Sequence, residues 1–295
     1  MKTYQIVLDI WSGNPDIDVS LLKNEGVAGL IVRLNSIGGG LHMDSRFQDD
    51  WGKAQLFDAH GIYNVYNPWV SGTLNYQWFM EHKPSNLDCM VFPDIEVKYP
   101  NYAPASYAYD VAKYYSSLAG SGIKTAIYTG QGELELLTKW PGGDYWWAQY
   151  LDSFEKNPPT TWEDLKTRID AMPEQPTNAK KCPGNIKLWQ ICDNATLPGF
   201  GGHPVDINVF NGPLDDLKAW MGAGPNVPVS TVLRTQYNML VRTGPSRNYS
   251  IVDELMKGAI VVPISTIDSG ANGVWIKLAE NRYVCQTLNG VIYIK

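Results

Sequence analysis

The chain has 295 residues, with 24 basic against 30 acidic side chains and a net charge of -6. That length can bury a full core and divides naturally into one large and one small domain. No basic patch of the kind nucleic-acid binding needs is present, and no run approaches the ~20 apolar residues of a membrane span. The charge is uneven: residues 226–295 hold seven basic and four acidic side chains, and residues 1–225 hold seventeen and twenty-six. A slightly basic tail behind an acidic body fits a targeting module drawn to an anionic surface, and chance variation over a small domain accounts for it equally well.

The N-terminal part alternates short apolar runs with helical patterns. Tyr4–Ile10 reads as a strand, a helical stretch follows near Val19–Glu25, and Ala28–Leu34 is a second strand. Phe47, Trp51, Ala54 and Phe57 fall at helical spacing within Asp44–His60, closed by Gly61. Ile62–Tyr66 reads as a strand, residues around Leu74–His82 as a helix, Met90–Ile95 as a strand and Ala105–Ala119 as a helix ending at Gly120. Lys124–Tyr128, Tyr145–Tyr150 and Lys187–Cys192 complete the strand-like runs, and Val205–Asn208 is a late one. This alternation predicts an α/β domain with a mostly parallel sheet, for which a barrel is a reasonable form at this length. Asp152–Asn185 breaks the rhythm, with one short helix near Thr161–Ala171; a functional lid and a plain surface insertion both fit it. Gly222–Ser230 reads as a linker, which divides the chain into a domain over 1–222, a linker over 223–231 and a domain over 232–295. In the last of these, short strands separated by Gly244-Pro245, Asp268-Ser-Gly270, Asn272-Gly273 and Asn289-Gly290 predict a small all-β barrel.

Cys89, Cys182, Cys192 and Cys285 form no C-x-x-C pair, and His42, His60, His82 and His203 form no H-E-x-x-H arrangement. No catalytic metal and no cofactor is therefore expected. Cys182 and Cys192 could bridge one loop, but free thiols are the expectation. The Gly38-Gly39-Gly40 run lacks the lysine and spacing of a phosphate-binding loop.

The most informative segment is Val91-Phe92-Pro93-Asp94-Ile95-Glu96. An apolar strand runs into two carboxylates spaced i, i+2, which in a strand share one face. At the C-terminal end of a barrel strand they would project into the mouth. Neighbouring carboxylates resist double ionisation, so one keeps its proton to higher pH. Such a pair supplies the acid and the anion that glycosidic cleavage needs. Asp9 holds the same position on the first strand, and Asp206 would hold it on the late one.

These blocks resemble glycoside hydrolase family 25 lysozymes. Asp9-Ile-Trp-Ser-Gly-Asn-Pro-Asp-Ile-Asp18 is similar to the family's opening D-V-S-x-x-Q-G-x-I-D, and Phe92-Pro-Asp94-Ile-Glu96 to its central P-x-L-D-x-E. Ala126-Ile-Tyr128-Thr129, Trp147-Ala148-Gln149-Tyr150, Leu188-Trp189-Gln190 and Val205-Asp206-Ile-Asn208-Val-Phe210-Asn211-Gly212 match later blocks in order, over about residues 4–213. The resemblance implies a flattened, incomplete (β/α) barrel that cleaves the β-1,4 bond between N-acetylmuramic acid and N-acetylglucosamine. It implies Glu96 as general acid and Asp94 as the group that stabilises the oxocarbenium-like centre or orients the substrate's acetamido group. It implies Asp9 and Asp206 as tuning and substrate-binding acids, with Tyr66, Tyr128, Trp147, Gln149 and Trp189 as substrate contacts. The α-carbons of Asp94 and Glu96 lie only ~6.5 Å apart in a strand, which fits both the retaining and the inverting arrangement. Trp11 departs from the pattern, standing where the family has Ser, and Asn14 stands near its Gln.

The tail resembles a bacterial Src-homology-3-like domain in Asn238-Met-Leu-Val-Arg242-Thr-Gly244-Pro245-Ser246, Leu255-Met-Lys257-Gly258 and Gly273-Val-Trp275-Ile-Lys277. The implied role is binding to wall peptide through Tyr237, Tyr249 and Trp275, although a core role for Trp275 fits as well. The first residues are too short and polar for a signal peptide. A wall enzyme made in the cytoplasm without a signal must leave by another route, which points to a phage-type lysin. The expected partner is bacterial peptidoglycan, with no nucleic acid and no membrane insertion; oligomeric state is open. Two rival readings are a chitinase-like N-acetylhexosaminidase and a non-catalytic wall-binding protein.

Overall fold

A computed structural model describes residues 3–38, 40–85, 87–97, 104–133, 143–222, 233–255, 257, 260–261, 265–279, 281–289 and 291–294. Contacts divide the chain into two units: Met1–Lys83 with Asp88–Pro225, and Asn226–Lys295 with Pro84–Leu87. The expected linker at 223–231 lies outside the described residues, as do Gly39, Gly258 and Gly290.

In the first unit eight strands close into a barrel in sequence order: β1 (Tyr4–Ile10), β2 (Val27–Arg33), β3 (Ala59–Val65), β4 (Met90–Asp94), β5 (Ile127–Gly130), β6 (Asp144–Ala148), β7 (Asn185–Ala195) and β8 (Val205–Asn211). β1 to β7 pair in parallel, and β8 runs antiparallel to both β7 and β1. The strands are near-continuous apolar runs because helices cover the outer face while side chains fill the inside. The helices of this unit are α1 (Val19–Asn24), α2 (Phe47–Ala54), α3 (Gly72–His82), α4 (Pro104–Gly120), α5 (Asp152–Lys156), α6 (Trp162–Ala171) and α7 (Leu214–Met221). The ring of strands is closed, so the expected incompleteness of the (β/α) barrel is not in its sheet. What is missing is in the helical layer, since the β7–β8 connection, 196–204, carries no helix.

Val7, Ala59, Tyr63, Phe92, Tyr128, Trp146, Leu188 and Phe210 pack in one core cluster, joined by Leu217 and Met221 of α7. Trp220 of α7 lies against Phe92 and Phe210, at 5.7 and 6.0 Å between ring centroids. The helix thus closes the barrel end opposite the strand C-termini of β1–β7.

The helix expected over Asp44–His60 is shorter: α2 stops at Ala54, and Ala59, His60 and Gly61 already pair with Gly29, Leu30 and Ile31 of β2. Strand pairing outweighs the helical spacing there. Asp152–Asn185 is a packed insertion. Thr161 caps α6 by accepting the Asp164 backbone N–H, and Phe154, Trp162, Leu165, Ile169 and Met172 are buried. All four cysteines are free thiols. Among the described residues no helix is long and apolar enough to cross a membrane.

The second unit is all-β. β10 (Met239–Arg242), β11 (Ile251–Leu255), β13 (Ser265–Asp268), β14 (Val274–Ala279), β15 (Arg282–Leu288) and β16 (Val291–Ile292) form one antiparallel sheet, and β9 (Leu233–Arg234) pairs with β12 (Ile260–Val261). Met239, Val261, Trp275, Ile276, Val284, Leu288 and Ile294 form its core. Among the described residues the strand pairing gives two sheets rather than one closed barrel.

Gly61 explains a constraint on the first unit: a Cβ there would come within 2.8 Å of the Phe92 ring and 3.2 Å of Met221 Cε. Gly61→Ala should lower unfolding stability by about 1–3 kcal/mol through overpacking. Urea titration checks this as a fall in the midpoint at unchanged slope; a midpoint equal to the unmodified chain's contradicts it.

Candidate active site

Asp9 and Asp206 are direct Cα partners across antiparallel β1 and β8. Because β8 runs backwards, Asp206 reaches the mouth from the start of its strand rather than from its end, as the sequence pattern had suggested. Asp94 ends β4 and pairs with Tyr128 of β5. Its segment is pinned on both sides: Tyr66 N–H donates to the Asp94 carbonyl at 3.0 Å, Ile95 N–H to Tyr128 O at 3.0 Å, and Thr129 Oγ1 to Ile95 O at 2.9 Å. Two residues beyond Asp94, Glu96 opens to solvent at the mouth, whereas Asp94 and Asp9 are buried.

A buried amide frame holds the acids. Asn208 Nδ2 donates to Asp9 Oδ2 at 2.7 Å, and Gln190 Nε2 donates to Asp9 Oδ2 at 3.2 Å and Asp206 Oδ2 at 3.5 Å. Tyr128 donates its hydroxyl to Gln190 Oε1 at 2.7 Å, and Trp146 Nε1 donates to Asn208 Oδ1 at 2.6 Å. Trp146 in turn rests on Phe92 and Tyr128, with ring centroids 5.2 and 4.3 Å away. The acids therefore stand on an aromatic floor, and the amides above it are oriented by fixed donors.

Burial dominates the electrostatics. It raises Asp206, with the Asp9 charge adding to the rise; it also raises Asp9, where hydrogen bonds from Asn208, Asp206 and Gln190 offset part of the effect. Asp94 is pushed well above the carboxylate range by burial, then by Glu96 and Asp9, with Arg33 opposing; among the described residues its Oδ1 has no hydrogen-bond partner. Glu96 is raised by the protein massed around the mouth, although water reaches it; Tyr128 opposes, and Asp9 and Glu133 add to the rise. Burial also keeps Tyr128 protonated as a donor.

Glu96, Gly130, Gly132, Glu133, Ala148 and Tyr150 line a cavity of about 250 Å³ beside the acids. A larger one of about 530 Å³, among Lys187, Phe210, Asn211 and Trp220, holds none of the four. Among the described residues no group of three or more His, Cys, Asp or Glu side chains is arranged to hold a metal ion.

Asp9, Asp94, Glu96, Asp206 and Tyr128 thus come together, and other expected contacts do not. Trp147 is fully buried on the outward face of β6 and donates Nε1 to Asn178 Oδ1 at 2.8 Å. Trp189, also buried, donates to Gln149 O at 2.7 Å, and Gln149 donates to Thr177 Oγ1 at 2.6 Å. Trp147 and Gln149 fasten the 152–185 insertion to the barrel, and Trp189 holds the Gln149 backbone. Tyr66 is 1% exposed between Tyr107 and Tyr114, behind Asp94. In the second unit Trp275 is a core residue, 2% exposed with its Nε1 on Asn272 O, while Tyr237 and Tyr249 are 55% and 48% exposed. The sequence reading missed Gln190, Asn208 and Trp146. Strand alternation could have found them: Asn208 is i+2 from Asp206, and Trp146 and Gln190 each neighbour a motif tryptophan on the opposite face.

No protein-family profile and no curated protein matches this sequence. Solved structures do. The chain is similar to a family 25 glycosyl hydrolase from Bacillus anthracis at 16% identity and TM-score 0.56, over 73% of this chain and 93% of that one. It is similar to a bacterial lysozyme from Streptomyces coelicolor at 18% and 0.54, over 76% and 98%. It is similar to a family GH25 lysozyme from Aspergillus fumigatus at 16% and 0.53, over 74% and 99%. These likenesses show a shared fold, an eight-stranded α/β barrel.

Carboxylates raised by folding bind protons that the unfolded chain has released, so stability falls as pH rises above the usual carboxylate range near 4. Asp206→Asn keeps a donor toward Asp9 and removes one such group. Its stability gain over the unmodified chain should grow from pH 4 to pH 8 in denaturant titrations; a gain that is flat or shrinks across that range contradicts the shared burial of these acids. Trp147→Phe should destabilise by about 1 kcal/mol through the lost bond to Asn178, read as a lower midpoint in urea titration; an unchanged midpoint would contradict the anchoring role.

Proposed function

We propose that the chain is a peptidoglycan hydrolase, a muramidase cleaving the β-1,4 bond between N-acetylmuramic acid and N-acetylglucosamine. The observation that carries this reading is the contrast within one i, i+2 pair: Glu96 is raised yet open to solvent, and Asp94 is raised and sealed. The solved relatives in fold, a family 25 glycosyl hydrolase and two lysozymes by description, support it.

Glu96 carries a proton at the mouth and donates it to the glycosidic oxygen as the bond to the anomeric carbon breaks. Asp94 has an oxygen with no donor among the described residues. Its charged form is disfavoured until positive charge appears beside it, so it responds to the oxocarbenium-like centre or to an acetamido N–H presented there. Deprotonated Glu96 then accepts a proton from the attacking water. Asp9 and Asp206, bridged by Gln190 and Asn208, hold the negative field beneath the pair. Tyr128 orients Gln190 with its hydroxyl proton and tempers the rise of Glu96.

The second unit is proposed as a Src-homology-3-like wall-binding module with Tyr237 and Tyr249 as its exposed aromatic contacts. Synthesis in a host cytoplasm and action on the wall after release, as in phage lysis, complete the reading.

Glu96→Gln should lower turnover by about 10²–10⁴-fold without changing the fold, measured by wall clearing and circular dichroism. Digestion of purified peptidoglycan by the unmodified chain, with mass spectrometry of the new reducing ends, should show muramic acid. Glucosamine ends would replace this reading with the chitinase-like one, and binding without clearing would replace it with a non-catalytic one.

A further inference from the structure

Trp11 is the residue at which the opening motif departs from its pattern, and the site described above makes no use of it. It lies two residues beyond Asp9, just past the end of β1, and is 43% exposed. A large exposed indole is usually mobile, but the backbone turn that carries this one is tied down. Its backbone N–H donates to Asn14 Oδ1 at 2.9 Å, and Asn14 N–H returns to Trp11 O at 2.9 Å, closing a tight turn. Asn14 Nδ2 ties that turn to Pro204 O at 3.0 Å, just before β8, and Arg46 Nη1 donates to Asn14 O at 2.6 Å. Ser12 N–H donates to Asp44 Oδ2 at 3.2 Å, and Arg33 Nη2 donates to Ser12 Oγ at 3.2 Å.

The ring itself is also fixed. The Arg33 guanidinium lies over the indole, 4.4 Å from the centroid, while its Nε pairs with Asp44 at 2.7 Å. Gly13 lies directly against the six-membered ring, where a Cβ would fall 2.3 Å from two of its carbons. A side chain at position 13 would therefore displace the indole. The Arg33 charge is also felt at Asp94, where it acts against the rise of that carboxyl. A rigid, partly open aromatic surface thus stands on the same rim as the acids, its ordering completed before any ligand arrives.

We propose that Trp11, backed by Arg33 and seated on Gly13, is a preset stacking subsite that holds a pyranose ring of the N-acetylated glycan next to the cleaved bond. This rests on the glycan-hydrolase reading and adds a positioning residue to it. Aromatic faces take the apolar face of a sugar, and a platform already fixed forfeits little entropy on binding.

The test uses the full chain and peptide-free glycan strands of alternating N-acetylmuramic acid and N-acetylglucosamine. Titration calorimetry in the Glu96→Gln background reads binding without turnover. Trp11→Ala should weaken affinity about tenfold, the loss of one well-packed aromatic contact; Trp11→Phe should recover most of it. Gly13→Ala, which leaves Trp11 in the chain but pushes the ring aside, should reproduce the loss. In the active chain Trp11→Ala should raise KM while kcat stays within about twofold, where uniform binding is what is lost. Unchanged affinity in Trp11→Ala, or a fall in kcat at constant KM, overturns the inference. An unmodified chain that binds these strands but never cleaves them overturns the muramidase reading instead, and the calorimetric comparison still decides the role of Trp11.

Discussion

Asp9 and Asp206 face one another across β1 and β8, and Asp94 and Glu96 arrive beside them from β4. Four carboxylates gathered at one end of a closed barrel resist being charged together, because Asp9 and Asp94 are buried, Asp206 is half-buried and the charges act on one another. The rest of the first unit is arranged around that repulsion. Gln190 and Asn208 present amide hydrogens to the acids, Tyr128 and Trp146 fix those amides, and Phe92 and Tyr63 support the Trp146 ring. Remove the aromatic floor and the amides lose their orientation; remove the amides and Asp9 loses the bonds that offset its burial.

The same repulsion divides labour within the pair. Asp94 and Glu96 differ by two positions in one strand direction, yet one is sealed and the other meets solvent. Of the two, Glu96 alone is open to exchange protons with water. The sealed Asp94 is tuned in the opposite sense, by the absence of a partner on Oδ1 among the described residues and the moderating charge of Arg33. Arg33 connects this chemistry to the rim, since the guanidinium that tempers Asp94 also supports the Trp11 indole.

The tryptophans of the W-x-A-Q-Y and W-Q blocks show how one motif can carry two jobs. On β6 and β7 the outward residues Trp147 and Trp189 fasten the 152–185 insertion through Asn178 and Gln149, while the inward residues Trp146 and Gln190 build the acid frame. Reading the motif from its most prominent letters selects the wrong face. A period of two along a strand separates the two roles only once it is known which face is inside.

Most of the strands and all four acids were legible in the chain itself. Apolar runs and the i, i+2 carboxylates are local features, and strand geometry alone puts Asp94 and Glu96 on one face. The α/β class followed from alternation of the same kind. Tertiary structure decided the remainder. It closed the ring of strands by turning β8 antiparallel, which brought Asp206 in from its strand's start. It ended α2 early because β2 was there to pair with residues 59–61. It buried Tyr66, Trp147, Trp189 and Trp275 and left Trp11 at the rim. Burial and charge coupling depend on what lies across the barrel, up to 199 positions away between Asn208 and Asp9, and no local pattern encodes a neighbour at that distance.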